Sequence, residues 1–256
     1  MIDARALVDP SAEIDPSAEI GAFAVIGANV RIGAGTRVAP HAMVQGPTAI
    51  GRNNRIFQFA SIGDAPQDLK YAGEPTRLEI GDNNVFRESC TINRGTVGGG
   101  GLTRVGSDNL FMAYSHVAHD CRVGNRCVFA NMATLGGHVE VGDWVIFAGF
   151  SGVHQFCKIG PHVFVANNTA VTRDVPPYLM VTGRPAEPHS INSEGLKRRG
   201  FTPEQIRNLK SAFRLLYRSD LKLEEATARL GELARDHPEV QPFVDFLGTT
   251  TRSIVR

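Results

Sequence analysis

An aliphatic or phenylalanine residue recurs at every sixth position through most of residues 8–171, and that period leaves few folds open. From Val8 it steps through Ile14, Ile20, Ile26, Ile32, Val38, Val44, Ile50 and Ile56 to Ile62, then resumes as Ile80, Phe86 and Ile92. It starts again at Val105 and continues through Phe111, Val117, Val123, Phe129, Leu135, Val141, Phe147, Val153, Ile159 and Val165 to Val171. An amphipathic helix or an alternating strand would place its apolar residues at other spacings. A repeat of this kind predicts a coil of short straight segments joined by tight corners. The aliphatic residue fills the axis, and the small residue four places later, such as Ala12, Ala18, Ala60 or Ala133, packs where the interior narrows. Glycine often follows the aliphatic residue, as at Gly21, Gly33, Gly124 and Gly142, and is expected to tolerate the corner.

The same register explains the cysteines. Cys90, Cys121, Cys127 and Cys157 all occupy the small inward position and form no CxxC pair, which assigns them to packing as reduced thiols. A chain of 256 residues, 42% hydrophobic and 21% charged, can bury a sizeable core. Its net charge of +1 gives no general bias toward nucleic acid or membrane. No apolar run approaches the length of a transmembrane segment, so a cytoplasmic location is expected.

Two interruptions of the period predict loops, near 63–79 and 97–104. The first contains the polar, Pro/Gly-broken run Gln67-Asp68-Leu-Lys70-Tyr71-Ala-Gly-Glu-Pro-Thr76, and the second contains Gly98 to Gly101. A long loop on a rigid scaffold is often functional. Beyond Pro176-Pro177 the pattern changes: Thr202-Pro203-Glu204-Gln205 reads as a helix start, and Ile206, Leu209, Phe213, Leu216 and Tyr217 follow at helical spacing. A second helix is expected near Leu221 to Arg235 and a third after Pro238. The expected division is a repeat domain over 1–189 and a small α-helical domain over 190–256.

The hexads opening at Val117, Leu135 and Val153 carry His119, His138 and His154, which should stack on one face if three hexads make a coil. Two chemistries suit such a cluster. A histidine beside a carboxylate such as Asp120 can act as a general base near neutral pH. Three histidines with an open fourth position also suit catalytic zinc. Spacing alone does not separate them.

The hexads resemble those of left-handed parallel β-helix proteins of the hexapeptide-repeat class, over about residues 8–175. A more specific resemblance joins His116-Val-Ala-His119-Asp120-Cys121-Arg-Val-Gly-Asn125-Arg126-Cys127 to the loop run above, to His154-Gln155-Phe156-Cys157 and to Asn192-Ser-Glu194-Gly-Leu-Lys197-Arg198-Arg199-Gly200-Phe201. Together these are similar to the UDP-N-acetylglucosamine O-acyltransferase family, which performs the first acylation of lipid A synthesis. The resemblance implies a mainly β protein, a left-handed parallel β-helix followed by a C-terminal α-helical domain, working as a homotrimer. It implies an (R)-3-hydroxyacyl donor carried on the phosphopantetheine of acyl carrier protein, with no cofactor and no metal of the enzyme's own.

By the same resemblance His119 is the general base, Asp120 orients it, and the Gly137 amide stabilises the oxyanion. Gln67, Asp68, Lys70, His138, His154 and Gln155 are expected to hold the acceptor sugar nucleotide, with His116 in support. Asn192, Glu194, Arg198 and Arg199 are expected to reach the uridine diphosphate or the carrier. Where a glycine in the family admits a long hydroxyacyl chain, Asn167 stands here, which implies a shorter donor.

Overall fold

The computed structural model describes every residue except Thr251. The hexads build a three-sided prism of parallel strands. Each side is one sheet, and successive strands of a sheet come from successive coils. The first face has nine strands, from Leu7–Val8 to Ala170–Val171, and the second has eight, from Glu13–Ile14 to Lys158–Ile159. The third has ten, from Glu19–Ile20 to a closing antiparallel pair, Leu179–Thr182 with Glu187–Ile191. Regular coils pair residues eighteen apart, as His116 with Thr134 and Thr134 with Gly152. Every six-residue step therefore turns one corner, and every third inward side chain lands above its predecessor.

The inward aliphatic row is buried as expected from Ile20 onward. Its aromatic members form a column on the third face: Phe86, Phe111, Phe129 and Phe147 stack with ring centroids 4.9, 4.6 and 4.7 Å apart. The four thiols are free and fully buried in the inward position, and burial pushes Cys121 and Cys127 up to about 12.

The role expected of glycine is corrected. The left-handed corner conformation belongs to the residue two places further on, and it is non-glycine at most corners: Phe23, His41, Asp120, His138, Trp144 and Phe156 all have φ between 55° and 70°. Each such residue costs roughly 1–2 kcal/mol of backbone strain, borne by the coil-to-coil ladder. The glycine is needed for clearance instead. A Cβ on Gly21 would lie 2.6 Å from the Pro40 nitrogen, and one on Gly142 would lie 2.6 Å from that of Pro161.

Both predicted loops leave the prism, the first within narrower limits and the second starting three residues earlier than expected. Ile62 pairs with Ile92 rather than with a residue eighteen on, and Ile92 pairs with Val117. Arg77–Ile80 and Leu102–Val105 are paired strands in full register, so the excursions are 65–76 and 94–101. In the C-terminal part, α1 is Ser193–Arg198, α2 Pro203–Tyr217, α3 Leu223–Asp236 and α4 Gln241–Thr249. The Thr202 hydroxyl accepts from the Gln205 amide at 3.2 Å and the Gln205 side chain accepts from the Thr202 amide at 2.9 Å, which fixes the start of α2. The short α1 and the closing β-hairpin went unread in the sequence because neither carries a period long enough to see. Among the described residues no helix is long and apolar enough to cross a membrane.

Phe111→Ala removes a ring from the middle of the internal column. It is expected to lower unfolding stability by roughly 3–5 kcal/mol in chemical denaturation.

Candidate active site

His119 and Asp120 lie at the corner between the first and second faces, just after the strand His116–Val117. The left-handed φ of 61° at Asp120 turns its carboxylate back under the corner, where the side chain is 1% exposed. There the carboxylate collects hydrogen bonds. Oδ2 accepts from His119 Nδ1 at 2.7 Å and from the Thr96 hydroxyl at 2.6 Å, while Oδ1 accepts from the Thr96 amide at 2.8 Å. The Asp120 amide donates to Thr103 Oγ1 at 2.7 Å. An ionised carboxylate only accepts, so the proton of His119 sits on Nδ1 and the lone pair is left on Nε2.

The next coil supplies the opposite wall. A Cβ on Gly137 would fall 2.7 Å from His119 Nε2 and 2.6 Å from Cε1, so only glycine leaves room for the imidazole. The Gly137 N–H has no acceptor among the described residues. His138 stands edge-on to His119 with ring centroids 5.1 Å apart, and its other face stacks on Phe156 at 4.4 Å. Burial lowers the pKa of His138, although Asp120, 3.7 Å from its Nε2, acts the other way, as does Asp68 of the first loop. Burial also lowers His116, which is hydrogen-bonded through Nδ1 to Thr91 Oγ1 at 2.7 Å.

The three histidines do not form the single stack expected from their hexads. They stand two, three and one places after the inward residue of their coils, so only His119 and His138 converge. His154 is exposed and its Nδ1 faces the Gln155 carbonyl at 3.1 Å, an oxygen that also accepts from Arg252 at 2.9 Å. The group whose nitrogen and oxygen atoms lie within 4.8 Å of one another is His119, Asp120 and His138. With Asp120 committed to Thr96 and His119, that group is built as a hydrogen-bonded relay.

In the first loop, Asp68 is half-buried, while Gln67 and Lys70 are exposed beside the fully exposed Leu69. The tail motif lies elsewhere. Asn192 caps α1, accepting from the Gly195 amide at 3.2 Å, and its amide group donates to the His162 carbonyl at 3.0 Å. Arg199 reaches His162 Nδ1 at 3.1 Å and lies 5.2 Å over the Trp144 ring. Glu194 pairs with Lys197 at 2.8 Å, and Arg198 is exposed. His162, for which the sequence suggested no role, sits between Trp144 and Tyr178 at the corner between the second and third faces. That is a different edge of the prism from the one carrying His119. Within one chain the tail residues and the His119 cluster are therefore not neighbours. Asn167 lies near the remaining corner, exposed, above Gly149. Two surface grooves, of about 560 Å³ beside Arg37 and Arg55 and about 550 Å³ beside Lys210 and Arg214, do not include His119.

Sequence reasoning missed Thr96, Thr103, Phe156 and Arg252 as parts of the site. The only signal for the two threonines was their position in and after the glycine-rich interruption.

A parallel prism of hexads with an imidazole–carboxylate pair at one corner defines a hexapeptide-repeat transferase, and residues 102–137 match the bacterial transferase hexapeptide family (six repeats). Residues 174–255 match the second domain of UDP-N-acetylglucosamine O-acyltransferase. The whole chain superposes on the Francisella novicida UDP-N-acetylglucosamine acyltransferase at 46% identity and TM-score 0.98, covering 94% of that chain. The Moraxella catarrhalis UDP-N-acetylglucosamine O-acyltransferase agrees at 45% and 0.98 over 99% of its length, and the Arabidopsis enzyme at 34% and 0.84 over 99%; each alignment spans 100% of this chain. The chain belongs to the UDP-N-acetylglucosamine O-acyltransferase family and is an acyltransferase. Its prism is a left-handed parallel β-helix, against the general right-handed preference of parallel crossovers.

Burial, aided by the Arg199 guanidinium, pushes His162 down from 6.5 to about 4. The unfolded chain takes up that proton first, so this contribution is intact above pH 6.5 and is lost as pH falls toward 4. In an NMR titration of the histidine rings, His162 is expected to titrate near pH 4, below its ordinary value.

Proposed function

We propose that this protein transfers an (R)-3-hydroxyacyl group from acyl carrier protein to the 3-hydroxyl of UDP-N-acetylglucosamine, in lipid A synthesis. The observation that carries this reading is an imidazole fixed by a buried carboxylate, with a free Nε2 beside an uncommitted Gly137 N–H. His119 Nε2 takes the hydroxyl proton as the sugar oxygen attacks the thioester carbonyl. Negative charge develops on that carbonyl oxygen, and the Gly137 N–H is the donor for it. Collapse breaks the C–S bond and returns the proton from His119 to the departing thiol. Asp120 holds the imidazolium throughout. No covalent acyl-enzyme is needed, and thiols pushed up to about 12 are poor nucleophiles. The donor's phosphopantetheine belongs to the carrier, and no further cofactor or metal enters the scheme.

In this reading Gln67, Asp68, Lys70, His138, His154 and Gln155 hold the acceptor, with His116 in support. Asn192 and Arg199 anchor α1, which presents Glu194 and Arg198 to the uridine diphosphate. A guanidinium suits that group because it forms paired hydrogen bonds with phosphate oxygens. Because α1 and His119 occupy different edges of one prism, the two sets meet when a second copy supplies one of them, and the homotrimer that the family resemblance implies supplies that copy. Surface chemistry supports it. Outward residues of the second face are mostly charged, including Glu13, Arg31, Arg104, Arg122, Glu140 and Lys158. The third face is charged over its first three coils, at Glu19, Arg37 and Arg55, and then shows Val85, Leu110, Val128, Ile146 and Phe164. It adjoins a corner where Phe59, Tyr114 and Phe150 are 63%, 60% and 60% exposed. An apolar strip of that extent marks a protein interface. A soluble carrier and nucleotide acceptor fit a cytoplasmic enzyme.

His119→Ala is expected to lower kcat by about 10²–10⁴-fold with the fold retained, measured by mass spectrometry of products from UDP-N-acetylglucosamine and hydroxyacyl carrier protein. A folded variant with full activity would remove the proposed base. Asn167 is assigned the floor of the acyl groove. Across a donor chain-length series, Asn167→Gly is expected to move the optimum to longer chains; an unchanged optimum sinks that assignment.

A further inference from the structure

We infer that the four residues Asn93–Thr96 form a positioning bridge that sets the substrate loop 65–76 and the general base His119 in one fixed relation. The inference rests on the proposed roles of His119, Asp68 and Lys70. At one end, the Asn93 amide group donates to the Ala65 carbonyl at 2.9 Å and the Asp64 carbonyl at 3.4 Å. Arg94 donates from Nη1 to the Gly63 carbonyl at 2.7 Å, from Nη2 to the Tyr71 hydroxyl at 3.3 Å, and from its amide to the Asp64 carbonyl at 3.2 Å. The two side chains thus hold the entry to the loop and its middle at Tyr71. Between these anchor points, the hydrogen bonds of Gln67 to Lys70 among the described residues are local: the Lys70 amide donates to Asp68 Oδ1 at 3.0 Å, and Leu69 is fully exposed.

At the other end, Thr96 gives Asp120 two of the three hydrogen bonds its carboxylate accepts. The Gly99 amide donates to Thr96 Oγ1 at 3.3 Å, which leaves the hydroxyl proton directed at Asp120. The joint between the two ends is tight. The Gly95 amide donates to the Arg77 carbonyl at 3.2 Å, and a Cβ on Gly95 would lie 2.8 Å from Asp120 Oδ1.

Arg94 also shows that more than fastening is at stake. Arg94 is half-buried, its guanidinium donates to neutral oxygens, and its Nε is buried without a hydrogen-bond partner among the described residues. A neutral side chain would tether a loop without burying an uncompensated cation. The planar fork, by contrast, fixes Gly63 and Tyr71 together, and so fixes the stem on which Asp68 and Lys70 stand. Arg94 and Thr96 are positioning residues, acting through the loop and through Asp120 respectively.

The test is a split in steady-state constants on the full-length enzyme with UDP-N-acetylglucosamine as the varied substrate. Thr96→Val is expected to lower kcat about tenfold with KM within about twofold, and Thr96→Ser to restore it. Thr96→Ala answers the same question if valine distorts the loop. Arg94→Met is expected to raise KM about tenfold with kcat within about threefold, with Arg94→Lys recovering only part of the loss. Thermal melts accompany each variant. Wild-type kcat in Thr96→Val, a serine variant no better than the valine one, or equal changes in kcat and KM that follow lost thermal stability would each overturn the bridge. His119→Ala in the same assay separates the two levels. Full activity there refutes the reading of the site, whereas an inactive His119→Ala beside a wild-type-like Thr96→Val refutes the bridge alone.

Discussion

Main-chain hydrogen bonds between residues one coil apart hold every other feature of this molecule in place. Each coil contributes three strands of two to four residues, far too short to persist alone. Stacked at about 4.8 Å with identical register, they protect one another's polar groups and pile the inward side chains into continuous columns. The left-handed corners, held by Phe, Trp, His and Asp rather than by glycine, survive because the ladder above and below leaves them no alternative.

The catalytic arrangement is a consequence of that constraint. His119 and Asp120 are adjacent in sequence and would be mobile on an ordinary loop. On a corner, the backbone sends Asp120 inward and His119 outward, and the following coil brings Gly137 against the ring. The ladder also explains why two interruptions can be functional without loosening the fold: the strands after each loop return to register, so 65–76 and 94–101 project from a scaffold that does not yield.

Much of this was legible in the residues. The period specified the inward row, the packing of the four cysteines and the two excursions, because a side chain every six positions has one burial solution when coils stack. The start of α2 was legible from Thr202 and Gln205, whose mutual capping is a local interaction. The stack of His119, His138 and His154 was misread because the hexad assigns a face but not the position along a corner, and a shift of one residue turns a side chain away from its neighbour. Asn192 and Arg199 show the same limit. Their residue types suit a nucleotide, yet their side chains are occupied with His162 and the start of α1.

By itself the sequence determined which residues face the axis and which stand at corners, since those depend on spacing along one chain. Tertiary structure alone decided which corners meet which partners. Thr96 reaches Asp120 across twenty-four residues, Arg94 reaches Tyr71 across twenty-three, and Arg199 reaches His162 across thirty-seven. Each of these contacts depends on how many residues an interruption inserts and where the chain re-enters its register. That is settled by packing and hydrogen-bond geometry over several coils, and no local pattern encodes it.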